Sequence, residues 1–143
     1  MNDLILLDLF KLGIGDHVRF VHGVSDAELV ELMGSAELAC VPSLYEGFSL
    51  PTAELMACAS PLVVSRAGAI PEVVGTDGDT ALLTKPGDSE ALAARLRFAL
   101  DQPDLRQTVG ARGRQRIIDR WSWKHTAAQT VEQYRIRLEG EGR

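Results

Sequence analysis

The spacing of apolar positions changes several times along this chain, and each change marks an element. Leu4, Leu7, Leu9, Phe10 and Leu12 form a dense helical pattern that ends near Gly13, a suitable C-terminal cap. Val18-Arg19-Phe20-Val21 is β-branched and aromatic and predicts a short strand. Ser25-Asp26-Ala27-Glu28 is a capping box, and the helix it opens carries Leu29, Val30 and Met33 on one face to about Ala36. Leu38-Ala39-Cys40-Val41, Pro61-Leu62-Val63-Val64-Ser65 and Ala81-Leu82-Leu83-Thr84 are continuous apolar runs, as expected of parallel strands covered on both faces. Between them lie a helix from Pro51 to Ala59 and a turn at Gly68 into a short helix capped by Gly75. After the Pro86-Gly87-Asp88 turn, Leu92, Leu96, Ala99 and Leu100 recur at helical spacing from Ser89. Pro103 breaks that helix and another follows over 104–119. A last helix begins near Ser122, with Trp123, Ala127, Val131, Tyr134 and Leu138 on its apolar face, and 139–143 is expected to fray.

Strands alternating with helices across short loops predict an α/β fold, an open parallel sheet with helices on both faces. Ligands of such a sheet sit outside the carboxyl ends of its strands. The loop after Val41 leaves a strand at that end, so 42–54 lies on the functional edge. Its sequence runs Tyr45-Glu46-Gly47-Phe48-Ser49-Leu50-Pro51-Thr52-Ala53-Glu54, with two carboxylates eight positions apart. Gly47 permits an unusual backbone angle, and the amides of Phe48, Ser49 and Leu50 are free to point outward. Pro51 at the first helical position wastes no donor. A positive backbone pole between two hydroxyl-binding carboxylates suits a phosphate with sugars at either end. From the pattern alone, a capped helix with two solvated glutamates fits equally well.

Composition narrows the function class. A chain of 143 residues, 45% hydrophobic and 24% charged, is one globular core rather than a disordered segment. A net charge of -5 gives no electrostatic reason to expect nucleic acid or an anionic membrane as partner. The Leu4 to Leu12 stretch is too short and too charged for a transmembrane segment, and it lacks a signal-peptide cleavage pattern. Cys40 and Cys58 sit in apolar runs without metal-ligand spacing, which predicts buried reduced thiols and a cytoplasmic protein. His17, His22 and His125 have no partner spacing, although His22 lies beside the loop after the Val18–Val21 strand. Glu28 is explained by its capping box. Pro71 is read as structural and Glu72 is left open. The arginines Arg106, Arg112, Arg114, Arg116 and Arg120 predict a solvated helix face, and Trp121 and Trp123 predict packing anchors.

The run Pro42-Ser43-Leu44-Tyr45-Glu46-Gly47-Phe48-Ser49-Leu50-Pro51-Thr52-Ala53-Glu54, continuing to Val64, resembles the glutamate-x7-glutamate signature of the retaining family-four glycosyltransferases. The likeness extends to Val18-Arg19-Phe20, Gly23 to Leu29, Gly68 to Val74 and Trp121-Ser122-Trp123, and so covers nearly the whole chain. It implies a Rossmann-like domain, the C-terminal, donor-binding half of a GT-B fold. It further implies that Glu54 bonds the ribose of a nucleotide-sugar and that Glu46, the catalytic candidate, contacts the transferred sugar. Amides of Gly47, Phe48, Ser49 and Leu50 would hold the sugar and diphosphate, and the nucleobase would rest near Val24. No cofactor and no metal are implied beyond a UDP-, GDP- or ADP-sugar co-substrate. Ala59 stands where the family has glycine, a departure expected to tighten the turn.

The resemblance covers one half of such an enzyme. It leaves out the N-terminal acceptor domain and the strand whose arginine and lysine neutralise the diphosphate; Lys11, Lys85 and Lys124 match no such motif. Turnover by this chain alone is therefore not expected. The helix over 122–138 would cross to the missing domain, and without it self-association or displacement of that helix is expected. A full-length enzyme could also sit peripherally at a membrane. Two other readings compete: a non-catalytic nucleotide-sugar or protein-interaction module, and another GT-B activity such as a sugar-nucleotide epimerase.

Overall fold

A computed structural model of the chain describes residues 2–140, and residues 141–143 of the expected frayed tail lie outside it. Helix α1 (Asn2–Lys11) ends in a Schellman turn, in which Gly13 at φ 65° donates to the Phe10 carbonyl and Ile14 to that of Leu9. Helix α2 (Asp26–Ser35) starts from the expected capping box, with Ser25 N–H donating to Glu28 at 2.8 Å and Glu28 N–H to Ser25 Oγ at 3.3 Å. The Ser25 hydroxyl, and then its backbone amide, hold the Glu28 carboxyl below its ordinary pKa.

Three strands, β1 (Ala39–Val41), β2 (Leu62–Ser65) and β3 (Leu82–Thr84), make a parallel sheet in the order β1-β2-β3, with Ala39 opposite Leu62 and Val63 opposite Leu82. The crossovers carry α3 (Leu50–Ala57) and α4 (Ile70–Val74), and α5 (Ser89–Leu100) follows β3. Strand alternation divides the core. Leu62, Val64 and Leu83 pack with Met56, Ile70, Val73, Val74 and Ile117, while Val63 and Leu82 meet Ala99, Leu92 and Leu96 of α5 on the other face. Helices thus cover both faces of an open parallel sheet, as the alternating pattern predicts.

Helix α6 (Pro103–Arg120) locks this arrangement. Its arginines form only part of the solvated face expected from their spacing: Arg112, Arg114 and Arg120 are exposed, while Arg106 and Arg116 are half-buried. Arg114 donates to the Ala57 carbonyl at the end of α3. Arg116 donates to Val73 and Glu72 at the end of α4, and Arg106 to Ala99 and Leu100 at the end of α5. Three helix C-termini, each with orphan carbonyls and a negative dipole end, share one cationic helix as their cap. Arg112, paired with Asp79, stays on the surface at 58% side-chain exposure.

Three other expectations need correction. Val18–Val21 is not a strand: beyond Val18 donating to Gly15 it joins no ladder, because none of the three strands lies alongside, and Val18, Phe20 and Val21 are each about 40% or more exposed. β1 is covered on one face only, with Val41 buried and Cys40 exposed, and it is an edge strand of the sheet. The cysteines are not buried thiols: Cys40 lies on that uncovered face and is exposed, and Cys58, at the C-cap of α3, is half-buried.

Helix α3 ends in a second Schellman turn, Ala59 donating to Met56 and Ser60 to Leu55. Its left-handed position is held by alanine at φ 60°. Ala59→Gly should therefore stabilise the fold by about 0.5–1 kcal/mol, the strain released less the unfolded-chain entropy added. Thermal melts that show no rise would mean the turn already absorbs the strain elsewhere.

Among the described residues no helix is long and apolar enough to cross a membrane. The last helix, α7 (Trp123–Gly140), buries no residue and leaves Trp123, Tyr134 and Leu138 at 66–88% exposure.

Candidate functional site

The loop over 42–49 leaves β1 at the carboxyl end of the sheet and turns directly into α3. Its first glutamate is fixed at both ends. Ser43 Oγ donates to Glu46 Oε1 at 2.7 Å, and the Ala69 amide donates to the Glu46 carbonyl at 2.9 Å. The second contact is possible only because residue 68 is glycine. A Cβ there would stand 2.0 Å from the Glu46 oxygen, and the backbone is at φ 53°. The Gly68-Ala69 turn before α4 is thus the seat on which Glu46 is placed.

The unusual backbone angle of the loop falls on Ser49, not on Gly47. Ser49 adopts φ 70° and ψ 74° and is 3% exposed, whereas Gly47 is exposed and has no positive φ. A non-glycine residue in this region is held there against strain by its surroundings. Here the hold includes a 2.8 Å hydrogen bond between Ser49 Oγ and Thr52 Oγ1, both buried. Because that hydroxyl turns to Thr52, Ser49 gives α3 no side-chain cap. Leu50 is then the first helical residue and Pro51 the second, so the helix starts one residue earlier than the sequence suggests. The first-turn amides of Leu50 and Thr52 have no partner within the helix, and of the two residues only Leu50 is exposed.

Phe48 anchors the loop to the body, its ring meeting Trp121 edge-on at 5.1 Å between centroids. Glu54 lies one turn into α3 and is exposed, and Glu46 is half-buried. Glu46, Phe48 and Ser49 are therefore brought together as one rigid turn with Glu54 on the helix it starts. Val24 stands elsewhere, 38% exposed in a surface hollow walled by Arg19, Val21, Glu28 and Leu32.

Sequence reasoning missed a small cavity of about 170 Å3 at the carboxyl ends of all three strands, lined by Pro42, Ser65, Thr84 and Lys85. Lys85 follows β3 at the edge that open α/β sheets use for ligands, and that placement was the available signal. From the sequence, Gly68 to Glu72 fits either a lining of the donor site or a turn into a helix; that Gly68 seats Glu46 is not legible there, because the oxygen it accommodates lies 22 residues away in the chain.

Comparison with known proteins agrees with this geometry. The profile of the family described as Glycosyl transferases group 1 matches residues 7–116. Over 124 residues the chain is 52% identical to the MMP alpha-(1->4)-mannosyltransferase of Mycolicibacterium hassiacum, covering 87% of this chain and 30% of that enzyme. Among solved structures, sucrose-phosphate synthase from Thermosynechococcus elongatus superposes with a TM-score of 0.86 at 32% identity, over 95% of this chain and 34% of that one. An Anabaena protein in complex with UDP shares the fold, with a TM-score of 0.84 at 23% identity over 92% of this chain and 35% of that one. The chain therefore spans about a third of the length of these proteins. Its motifs, its sheet and its Glu46 loop agree on one assignment: it belongs to the group 1 glycosyltransferases, with the fold of their C-terminal GT-B domain.

Proposed function

We propose that this domain binds the nucleotide-sugar donor of a retaining family-four glycosyltransferase that moves a hexose to an acceptor held by a separate N-terminal domain. The observation that carries the reading is the strained, uncapped start of α3 beside a clamped Glu46. The loop leads into the exposed first turn of α3 from a glutamate whose carboxylate Ser43 holds and whose backbone carbonyl Ala69 holds. Amides aimed at one point stabilise the negative charge that builds on a diphosphate leaving group. Glu46 would position the sugar, Glu54 the ribose hydroxyls and Val24 the base, with the amides of Gly47, Phe48, Ser49 and Leu50 on sugar and diphosphate. The UDP seen in a protein of the same fold supports a nucleotide as the donor's carrier.

Transfer would run by front-face attack through an ion-pair-like transition state, the donor phosphate assisting removal of the acceptor proton. The cations that complete such a site, and the acceptor, would come from outside residues 1–143, so this chain alone should bind a donor without turning it over. Action in the cytoplasm, without a metal, belongs to the same proposal. So does pairing of the exposed face of α7 with the acceptor domain, or with a second copy where that domain is absent.

Calorimetric titration with UDP, GDP and ADP and their sugars tests the reading. Glu54→Ala should weaken the best of these by roughly 1–3 kcal/mol, the value of a hydrogen bond to a charged group. An affinity that Glu54→Ala leaves unchanged removes Glu54 from the site, and robust transfer by the chain alone refutes the division of labour.

A further inference from the structure

The contact between Phe48 and Trp121 joins two parts of the molecule that the donor reading treats separately. Phe48 belongs to the loop. Trp121 is the C-cap of α6, its amide bonded to the Ile117 carbonyl at 2.9 Å, and only Ser122 separates it from α7. The indole N–H of Trp121 is buried without an acceptor, an arrangement that costs free energy and that a small displacement could relieve. Space for such a displacement exists. A cavity of about 360 Å3 opens between Phe48, Leu50 and Ala53 on the loop side and Trp121, Trp123 and Thr126 on the joint side. The joint is weakly restrained beyond this point, since α7 buries no residue. On the loop side, Ser49 is held at a strained angle next to Phe48. A strained turn and a loosely held helix therefore share one aromatic contact and one unfilled space.

Resting on the donor reading of the loop, we infer that Trp121 is a positioning residue for the donor, linking the geometry of residues 48–50 to the direction in which α7 leaves the body. Ligand on the loop amides selects one setting of the Phe48 ring. The Trp121 indole follows because the rings are in contact, and Ser122 passes the change to α7. Such a link is reciprocal: whatever holds α7 in the matching direction raises nucleotide affinity by the factor with which nucleotide favours that direction. The device would report an occupied loop to whatever surface receives α7.

The chain has two tryptophans, so Trp123→Phe leaves Trp121 as the sole indole reporter. In that variant, titration with UDP, GDP and ADP should shift Trp121 emission along the same saturation curve as the calorimetric heat. In the otherwise native chain, Trp121→Leu should weaken nucleotide binding roughly three- to tenfold, the range one edge-on aromatic pair supports, and Trp121→Phe should recover most of the loss. A readout without ligand separates positioning from mere support. In Trp121→Leu, hydrogen exchange should quicken together at the amides of Phe48, Ser49 and Leu50 and at those of Lys124, His125 and Thr126. Protection inside α6 at Val109 to Gly113 should remain. Saturating heat with silent Trp121 emission, or exchange that quickens in α6 alone, overturns the link and leaves the donor reading standing. No heat with any nucleotide or its sugar overturns the donor reading, and with it this inference.

Discussion

Gly68→Ala should release Glu46 from its seat and abolish donor binding in a domain that still folds. Two penalties add at this residue. An alanine at φ 53° costs about 1–2 kcal/mol, and its Cβ would lie 2.0 Å from the Glu46 carbonyl oxygen, a clash that overpacking measurements place at roughly 1–3 kcal/mol. The backbone of Glu46 is the cheaper thing to move, because the loop it belongs to is largely exposed while Ala67 and Ile70 on either side of the turn are buried. The Ala69 to Glu46 hydrogen bond is then lost and the carboxylate drifts from the start of α3. Gly78 supplies the control. It has φ 83° with nothing within 4 Å of its would-be Cβ, so Gly78→Ala carries the strain without the clash. Melting temperatures and nucleotide titrations of both variants settle the matter, and equal melting points with intact binding in Gly68→Ala would show that the seat is not needed.

Gly110→Val should destabilise the whole domain by about 3 kcal/mol, against the sign that helix propensity gives. In an ordinary helix interior, replacing glycine helps. Here a Cβ would stand 2.3 Å from the Ala59 carbonyl oxygen and 3.5 Å from the Pro61 nitrogen, so α6 must lift from the turn that leads into β2. Lifting α6 also withdraws Arg106, Arg114 and Arg116 from the helix ends they cap, which makes the cost global. Urea unfolding monitored by circular dichroism reads it directly. A midpoint at or above that of the native chain would mean the helix has slack that its contacts do not suggest.

What could be read in advance was whatever depends on near neighbours in the chain. The Ser25-Glu28 box, the Gly13 stop and the buried runs of β2 and β3 are all local signals, and each forms where its residues predict. The order of the elements was enough to place the Glu46 loop at the carboxyl edge of the sheet. What failed depends on distant partners. Val18–Val21 has the composition of a strand, but a ladder needs an adjacent strand, which no local pattern supplies. The arginines of α6 have the spacing of a solvated face, and three of them, Arg106, Arg114 and Arg116, also reach helix ends that converge only in the fold. Gly47 and Ser49 exchanged roles for a related reason. Glycine is where the left-handed angle is least costly, yet the buried Ser49–Thr52 pair and the Phe48–Trp121 contact decide where it falls.

The uncovered face of β1 gives the molecule a chemical clock. Cys40 lies on that face as an exposed residue, while partial burial of its thiol pushes the pKa up and so lowers the thiolate fraction at neutral pH. Alkylation there should be slow but measurable, and Cys58, half-buried, offers a comparison within the same chain. Anything that packs on that face of β1 must cover Cys40. The rate at which this one sulfur takes a label then reports how far that face of β1 is left uncovered.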